Sequence, residues 1–214
     1  EYIATHPSAE REEKISFDLY SQCSVKTSLR DKDTVRVSEF KLPGSLELSD
    51  KQKEALERAI KEPVTLITGG PGTGKTTMVI ALVRALKAQG RYITLCAPTG
   101  RAAKRLEETP GLRGFEPTTI HLLLTKLKVR KHRKIDVLII DEASMVDADL
   151  MVRILDVLGE KNSLIMIGDA DQLPPVGPGQ VFKDLLKMKG IPNARLLENF
   201  RQSEGSNILA LIHI

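Results

Sequence analysis

Five short apolar runs recur along the chain from residue 63 onward, separated by stretches whose apolar residues follow helical spacing. The runs are apolar at successive positions, which is typical of parallel strands covered by helices on both faces. They predict strands at residues 64–68, 92–97, 136–141, 163–168 and 194–198. The pattern therefore predicts an α/β fold with a parallel sheet and helices on both of its faces.

The stretches between these runs predict helices, because residues that typically stop a helix follow most of them. Gly90, Gly159 and Gly190 follow three of the stretches, and Pro110 follows another. The predicted helices span residues 75–88, 101–108, 120–127, 148–158 and 180–188.

The first 48 residues have a different pattern. Residues 14–20 and 33–42 alternate between apolar and polar like half-exposed strands, and they are too short and polar to form a core. We interpret residues 1–45 as the remnant of an upstream domain with its linker, and residues 46–214 as the main domain. The chain begins at Glu1 and stops inside an apolar run, so we expect it to be an excerpt of a larger protein.

Composition adds little to this picture. The 214 residues are 41% hydrophobic and carry a net charge of +4, which permits a polyanionic partner without indicating one. Cys23 and Cys96 lie far apart in no metal-like spacing, which favours a reduced, cytoplasmic setting. No apolar run approaches the ~20 residues that a membrane span requires, so we expect no membrane partner.

The chemistry begins with "GGPGTGKTT" at residues 69–77, which fits G-x-x-x-x-G-K-[ST] between a predicted strand and a predicted helix. Such glycines let backbone N–H groups point at phosphate oxygens, and the helix N-terminus adds its dipole. Lys75 would then reach the β and γ phosphates of ATP, and the Thr76 hydroxyl would ligate Mg²⁺. The alternative is a glycine-rich turn that only caps a helix. The predicted nucleotide contacts in the loop are Gly70, Pro71, Gly72, Thr73, Gly74, Lys75, Thr76 and Thr77.

Two acids, Asp141 and Glu142, close the apolar run "VLIIDE". A carboxylate at the tip of a buried strand beside a phosphate loop can hold magnesium, which is the role we predict for Asp141. Glu142 is then available to take a proton from attacking water, a role that a protein acting only as a switch does not need. The alternative is that both acids cap the segment that follows.

Six blocks now occur in a fixed order: "GGPGTGKTT", "APTGRAAKRL", "TTIHLLL", "IIDEASMVD", "GDADQLPPVGPGQVF" and "LLENFRQ". Together they resemble the first motor domain of a superfamily-1 DNA helicase of the RecD type, similar to the α subunit of exodeoxyribonuclease V. The resemblance implies a RecA-like P-loop NTPase domain over residues 46–214. It also implies that ATP hydrolysis is coupled to 5′-to-3′ movement on single-stranded DNA in repair and recombination. The implied partners are single-stranded DNA and a second RecA-like domain of the same full-length chain; a nuclease–helicase complex is left open.

The loop at residues 168–180, "GDADQLPPVGPGQ", is stiff because Pro174, Pro175 and Pro178 lack the backbone donor and have a fixed φ. In the resembled family this block lies between the γ-phosphate and the DNA. The resemblance implies that Gln172 contacts the γ-phosphate or the attacking water and that Asp169 orients its neighbours. The alternative is a rigid loop with a helix-capping role.

Two further residues have an implied nucleotide contact and a structural alternative. The resemblance puts Arg201 of "ENFRQ" on the γ-phosphate, whereas the alternative is a surface ion pair with Glu198. It also makes Gln52 the residue that reads adenine. Ser49-x-x-Gln52 is equally a capping-box pattern, and a side chain committed to such a cap cannot also reach adenine.

The block "APTGRAAKRL" leaves the second predicted strand in a turn and enters a helix, whose first N–H groups suit the phosphates of a single strand. The resemblance places it on the DNA face, with contacts expected from Pro98, Thr99, Gly100, Arg101 and His121. The alternative is a capped helix with a solvated basic side. Residues 126–134 carry six Lys or Arg and are expected to form a further loop that contacts phosphates.

Two other classes of protein share the phosphate loop. One is a nucleic-acid-binding regulator that uses ATP as a switch without unwinding, and the other is a small-molecule kinase. The sequence fits a kinase least well, because it has no substrate lid and because a kinase has no role for "GDADQLPP" and "ENFRQ". ATP turnover with and without single-stranded DNA separates a motor from a switch.

Overall fold

The computed structural model describes residues 7–24, 47–129, 134–159 and 161–198. Within them, six strands form one sheet in the order β3-β2-β4-β5-β1-β6, and every neighbouring pair is parallel. The expected α/β class with a parallel sheet is confirmed. The strands are β1 (Val64–Gly69), β2 (Ile93–Ala97), β3 (Thr118–Thr119), β4 (Val137–Ile140), β5 (Ser163–Gly168) and β6 (Asn193–Leu196).

Seven α-helices lie in the described part of the chain, together with a 3-10 turn at Ala143–Met145 that follows β4. None of these helices is long and apolar enough to cross a membrane. The helices are α1 (Pro7–Ser24), α2 (Asp50–Lys61), α3 (Lys75–Ala88), α4 (Gly100–Glu108), α5 (Ile120–Val129), α6 (Ala148–Leu155) and α7 (Val181–Lys187).

The sheet separates two apolar cores, because successive strand residues point to opposite faces. Leu66 and Leu164 pack on one face with residues of α1, α5, α6 and α7. Their neighbours Ile67 and Ile165 pack on the other face with residues of α2, α3 and α4. Each fully buried aliphatic side chain of this kind contributes about 1.5–3 kcal/mol to folding. Burial on both faces is the reason that the strand sequences are apolar throughout.

The strand expected at residues 14–20 is wrong, because these residues lie inside helix α1. Ile15 and Leu19 lie four residues apart, so they share one face of the helix, and both are buried in the core. Phe17, whose position completed the apparent alternation, is 74% exposed. Residues 33–42 lie outside the described residues, and the division into 1–45 and 46–214 stays a prediction.

Polar contacts also join α1 to the rest of the domain. Arg11 Nε pairs with Asp149 Oδ1 at 2.7 Å, and Lys14 Nζ pairs with Asp156 Oδ1 at 2.6 Å. All four side chains are more than a third exposed, so these pairs orient the helix more than they stabilise it. The buried residues of α1 therefore supply most of its attachment.

Several elements of the main domain differ from their predicted bounds. The helix expected at 148–158 ends at Leu155, after which the chain turns towards β5. Thr118–Thr119 forms a two-residue strand at the end of the sheet, where the sequence predicted only the approach to a helix. Asp141 follows β4 directly instead of ending it.

Candidate active site

The sheet order brings three separate sequence blocks to one edge. Strand β5 lies between β1 and β4, and the carboxyl ends of parallel strands meet at the same edge. The phosphate loop after β1, the proline-rich loop after β5 and the acids after β4 therefore lie side by side. A hydrogen bond joins the proline-rich loop to the end of β1, because Ala170 N donates to Thr68 Oγ1 over 3.2 Å.

The phosphate loop has the backbone that its glycines predict. Gly72 (φ 81°) and Gly74 (φ 82°) are both left-handed, a conformation that costs glycine little. No side chain caps the start of α3, so no side-chain cap competes with a ligand for the helix N-terminus. Lys75 Nζ donates to the carbonyl oxygens of Gly69 and Gly70 at 2.6 and 2.9 Å. These groups fit a nucleotide phosphate. To bind it, Lys75 would replace its hydrogen bonds to the two carbonyl oxygens with bonds to phosphate oxygens.

Gln52 forms the capping box that was the alternative to an adenine contact. Ser49 N donates to Gln52 Oε1 at 3.0 Å, and Gln52 N donates to Ser49 Oγ at 3.4 Å. Gln52 Nε2 donates to the carbonyl oxygen of Thr73 in the phosphate loop at 3.3 Å. The side chain is 2% exposed, so the whole amide is engaged inside the chain. The adenine contact stays a prediction, and it requires the amide to leave these partners.

Replacing Gln52 with alanine tests the two roles against each other. We expect the melting temperature to fall, since losing a cap costs about 1 kcal/mol. A purely structural role would weaken the affinities for ATP and GTP equally. Ser49→Ala is the matched control, because it removes the other half of the box and leaves the Gln52–Thr73 bond. A loss confined to ATP would instead assign adenine recognition to Gln52.

Asp141 lies at the centre of this edge and is 3% exposed. Burial raises the pKa of its carboxyl above the usual 3.8, and the neighbouring charge of Glu142 raises the pKa further. The positive charges of Arg105 and Lys75 act in the opposite direction. No cluster of three or more His, Cys, Asp or Glu suited to a metal occurs among the described residues. One carboxylate and a hydroxyl match Mg²⁺, which completes its coordination with phosphates and water.

This electrostatic position predicts that Asp141→Asn raises the thermal stability of the nucleotide-free protein at pH 7. Because the pKa of Asp141 is raised on folding, its ionisation lowers stability as the pH rises through the folded-state pKa. Asparagine keeps the shape and removes that dependence, so the two proteins should converge in melting temperature as the pH falls below about 3.8. Thermal melts across pH measure the difference. A lower melting temperature for the variant at pH 7 would mean that Arg105 and Lys75 outweigh the cost of burial.

Glu142 has a left-handed backbone, and its two carboxylate oxygens have different surroundings. Its φ of 54° is the single positive value among the described non-glycine residues, and such strain recurs at functional sites. Oε1 accepts a hydrogen bond from Arg105 Nη2 at 2.6 Å, while Oε2 is buried without a donor among the described residues. Glu142 precedes the 3-10 turn but makes no side-chain cap. The capping alternative is therefore wrong for Glu142.

The proline-rich loop holds Gln172 beside these acids. Ser144, two residues after Glu142, donates its hydroxyl to Gln172 Oε1 at 2.8 Å. Asp169 is 3% exposed and accepts from Asp171 N at 3.0 Å, which fixes the first turn of the loop. The loop ends at Gln180, where no side chain caps α7. The helix-capping alternative is therefore not formed at α7.

The residues expected to contact DNA lie at the same edge of the sheet. Ala97 at the end of β2 pairs with Thr119 of β3, so residues 98–101 and His121 follow neighbouring strands. Thr99 Oγ1 accepts from Ala102 N at 3.2 Å, which forms the cap of the alternative interpretation. Arg101 is exposed and has no ion-pair partner among the described residues. Contact with DNA stays a prediction.

Two expected elements do not join this edge in the described structure. Lys134 pairs with Asp136 at 3.8 Å and lies 4.6 Å from the centre of the Tyr92 ring, where β2 and β4 begin. Lys134 is therefore at the opposite edge from residues 98–101. The expected loop is wrong for Lys126 and Lys128, which lie in helix α5, while residues 130–133 lie outside the described residues. Arg201 lies outside them as well.

The sequence did not single out two residues that the structure places here. Arg105 of α4 binds Glu142, and Ser144 binds Gln172. A signal for Arg105 was present, since it lies four residues after Arg101 and so shares its helix face. Serine two residues after an acid carries no comparable signal.

Comparison with known proteins agrees with this geometry. Residues 47–214 match the family model described as AAA domain. The chain is 34% identical to the RecBCD enzyme subunit RecD of Mycolicibacterium smegmatis, covering 73% of this chain and 34% of that protein. It is 34% identical to the ATP-dependent RecD2 DNA helicase of Deinococcus radiodurans, covering 78% of this chain and 23% of that protein.

A solved structure shows the same fold. The crystal structure of Pif1 helicase from Candida albicans superposes with a TM-score of 0.53 at 24% identity, over 77% of this chain and 43% of that one. The chain thus spans less than half of the length of each of these proteins. With the family model matching four-fifths of its length, the chain belongs to the AAA domain family, and its sequence is similar to RecD-type helicases.

Proposed function

We propose that the chain is the nucleotide-binding half of an ATP-driven motor that moves 5′-to-3′ along single-stranded DNA in repair and recombination. One observation carries the proposal: the phosphate loop, the two acids and the turn at residues 98–101 follow strands at the same edge of one sheet. A ligand that binds at one part of that edge can therefore move the other part of the edge through a few rigid elements. The similarity to a protein named as an ATP-dependent DNA helicase supports the choice of ATP and DNA.

In the proposed site the chain binds ATP by its phosphates. Backbone N–H groups of residue 70 and residues 72–77 and the Lys75 ammonium contact the phosphate oxygens. Thr76 and Asp141 would hold Mg²⁺, which would neutralise charge on the phosphates. Because Asp141 is already buried and its ionised form is disfavoured there, a cation beside it also relieves an unfavourable charge.

Hydrolysis then depends on groups that handle the attacking water. Glu142 accepts a proton from that water, and Gln172, which Ser144 holds by a 2.8 Å bond, orients it towards the γ-phosphate. Arg201 is proposed to balance the charge that develops on the phosphate. Removing such an arginine from related NTPases lowers the rate by ~10³–10⁵.

The proline-rich loop links this chemistry to movement. Gln172 is at its beginning, and Leu173 and Val176, which are 87% and fully exposed, lie in its middle. Prolines cannot absorb a displacement in soft dihedral angles, so a shift of Gln172 on hydrolysis passes along the loop. Its exposed apolar residues suit contact with a second RecA-like domain.

The test compares steady-state ATPase of residues 1–214 with that of the full-length protein, each with and without single-stranded DNA. We expect DNA to stimulate the full-length protein strongly and residues 1–214 hardly at all, because an open site leaves its charges exposed to water. Full-length turnover that ignores DNA would favour an ATP-dependent switch. Transfer of phosphate to a small molecule instead of water would favour a kinase. Robust stimulated turnover by residues 1–214 would overturn the two-domain proposal.

A further inference from the structure

Arg105 bridges the helix that follows β2 and the acids that follow β4. Its Nη2 donates to Glu142 Oε1 at 2.6 Å and lies 3.6 Å from Asp141 Oδ2. The Arg105 side chain is 59% exposed, whereas those of Glu142 and Asp141 are 14% and 5% exposed. The guanidinium therefore covers the solvent side of both carboxylates. It is the single basic group of the described residues within ion-pair distance of either.

The pair leaves Glu142 poorly placed to serve a water molecule. Oε1 is engaged by Arg105, and Oε2 is buried without a donor among the described residues. For Oε1 to accept a proton, the bond to Arg105 must lengthen or break. The left-handed backbone of Glu142 adds to this constraint, since neighbouring contacts must hold the residue in that conformation.

Helix α4 connects Arg105 to the turn at residues 98–101. Arg101 and Arg105 lie four residues apart, on one face of the helix, and Arg101 is free of ion pairs within the described part of the chain. Thr99 caps the helix through Ala102 N, so the turn and the helix are joined as one unit. A phosphate bound at Arg101 would therefore shift Arg105 relative to β4.

We propose that Arg105 is a positioning residue that restrains Glu142 until single-stranded DNA engages the start of α4. DNA binding draws α4 away from β4, the Arg105–Glu142 bond opens, and Glu142 becomes available to water. The inference rests on the proposed function, and it adds that slow hydrolysis without DNA is a built-in property of this ion pair.

The first test uses binding, which does not depend on turnover. If DNA must open the pair, thermodynamic linkage requires that removing the pair tightens DNA binding. We expect nucleotide-free full-length Arg105→Ala protein to bind a single-stranded oligonucleotide roughly 1.5- to fivefold more tightly than the wild type, the range of a partly exposed ion pair. Glu142→Gln should tighten binding similarly, and the double variant no further. Arg105→Gln is the substitute if the alanine variant fails to fold.

The second test is kinetic. Arg105→Ala should raise kcat without DNA by roughly 1.5- to fivefold, leave KM for ATP unchanged and lower the stimulation ratio, whereas Arg105→Lys should restore part of the restraint. Lys104→Ala is the matched control on the same helix, because within the described part of the chain Lys104 has a single ion pair, with Glu108 at 3.8 Å.

Any of three results would overturn the inference. Weaker DNA binding by Arg105→Ala would make Arg105 a DNA contact, and equal falls in basal and stimulated rates would make it an aid to catalysis. Unchanged binding and rates would remove any role for it. If the wild type itself bound no DNA, the proposed function would fail. If DNA stimulated the wild type and the Arg105→Ala protein behaved in the same way, only the inference about Arg105 would fail.

Discussion

Lys75→Ala is expected to abolish ATP hydrolysis by the full-length protein and to weaken its affinity for ATP. In the nucleotide-free chain the ammonium satisfies the carbonyl oxygens of Gly69 and Gly70, and in the proposed complex it stabilises the β and γ phosphates. Removing a charge aimed at the reacting group lowers the rate by about 10²–10³ or more. Charged hydrogen bonds of ~1.5–3 kcal/mol also imply roughly ten- to hundredfold weaker binding. Single-turnover hydrolysis and titration with a fluorescent ATP analogue measure both effects.

Lys87→Ala is the matched control on the same helix. Its ammonium lies 5.1 Å from the centre of the Phe115 ring, towards the end of α3 that is remote from the phosphate loop. The fold should survive Lys75→Ala, because the changed side chain contacts the loop backbone and not the core. ATP affinity and turnover that match the wild type would remove Lys75 from the site.

Glu142→Gln is expected to leave ATP binding nearly intact while turnover falls about 10²–10⁴-fold, the usual contribution of a general base. Glutamine keeps the size of the side chain and loses the ability to take a proton. Asp141 stays available to hold the magnesium, so the KM for ATP should change far less than kcat. Steady-state kinetics with saturating single-stranded DNA separates the two parameters.

Glu107→Gln supplies the comparison for this change, since Glu107 is an exposed residue of α4. It should behave as the wild type in every parameter. Normal turnover by Glu142→Gln would instead give Glu142 a structural role, with its ion pair to Arg105 as the whole of its function.

Much of the fold follows from local patterns in the sequence. The central strands were predictable because each is a continuous apolar run that packs on both faces, as Leu66 and Ile67 do. Helix α1 was not predictable in this way. Its apolar residues at 15, 17 and 19 recur every second position, as in a strand, whereas the buried residues Ile15 and Leu19 are spaced four apart, as in a helix. Strand β3 has only two residues, too few to show any period.

The site divides in the same way. The phosphate loop is a continuous segment whose glycines dictate its backbone, so Lys75 and Thr76 could be predicted from spacing alone. The bonds between Arg105 and Glu142, and between Ser144 and Gln172, join residues far apart in sequence and depend on the strand order. Gln52 illustrates a third case, because a local cap and a contact with Thr73 occupy the same amide.

Displacement of streptavidin from biotinylated oligonucleotides by the full-length protein distinguishes a DNA motor from other ATPases. A motor that moves 5′-to-3′ should use ATP to displace streptavidin from the 3′ end and not from the 5′ end. Lys75→Ala and Glu142→Gln should both abolish the displacement, and Glu107→Gln should preserve it. Displacement from neither end, with ATP turnover indifferent to single-stranded DNA, would contradict the proposal that this chain is part of a DNA motor.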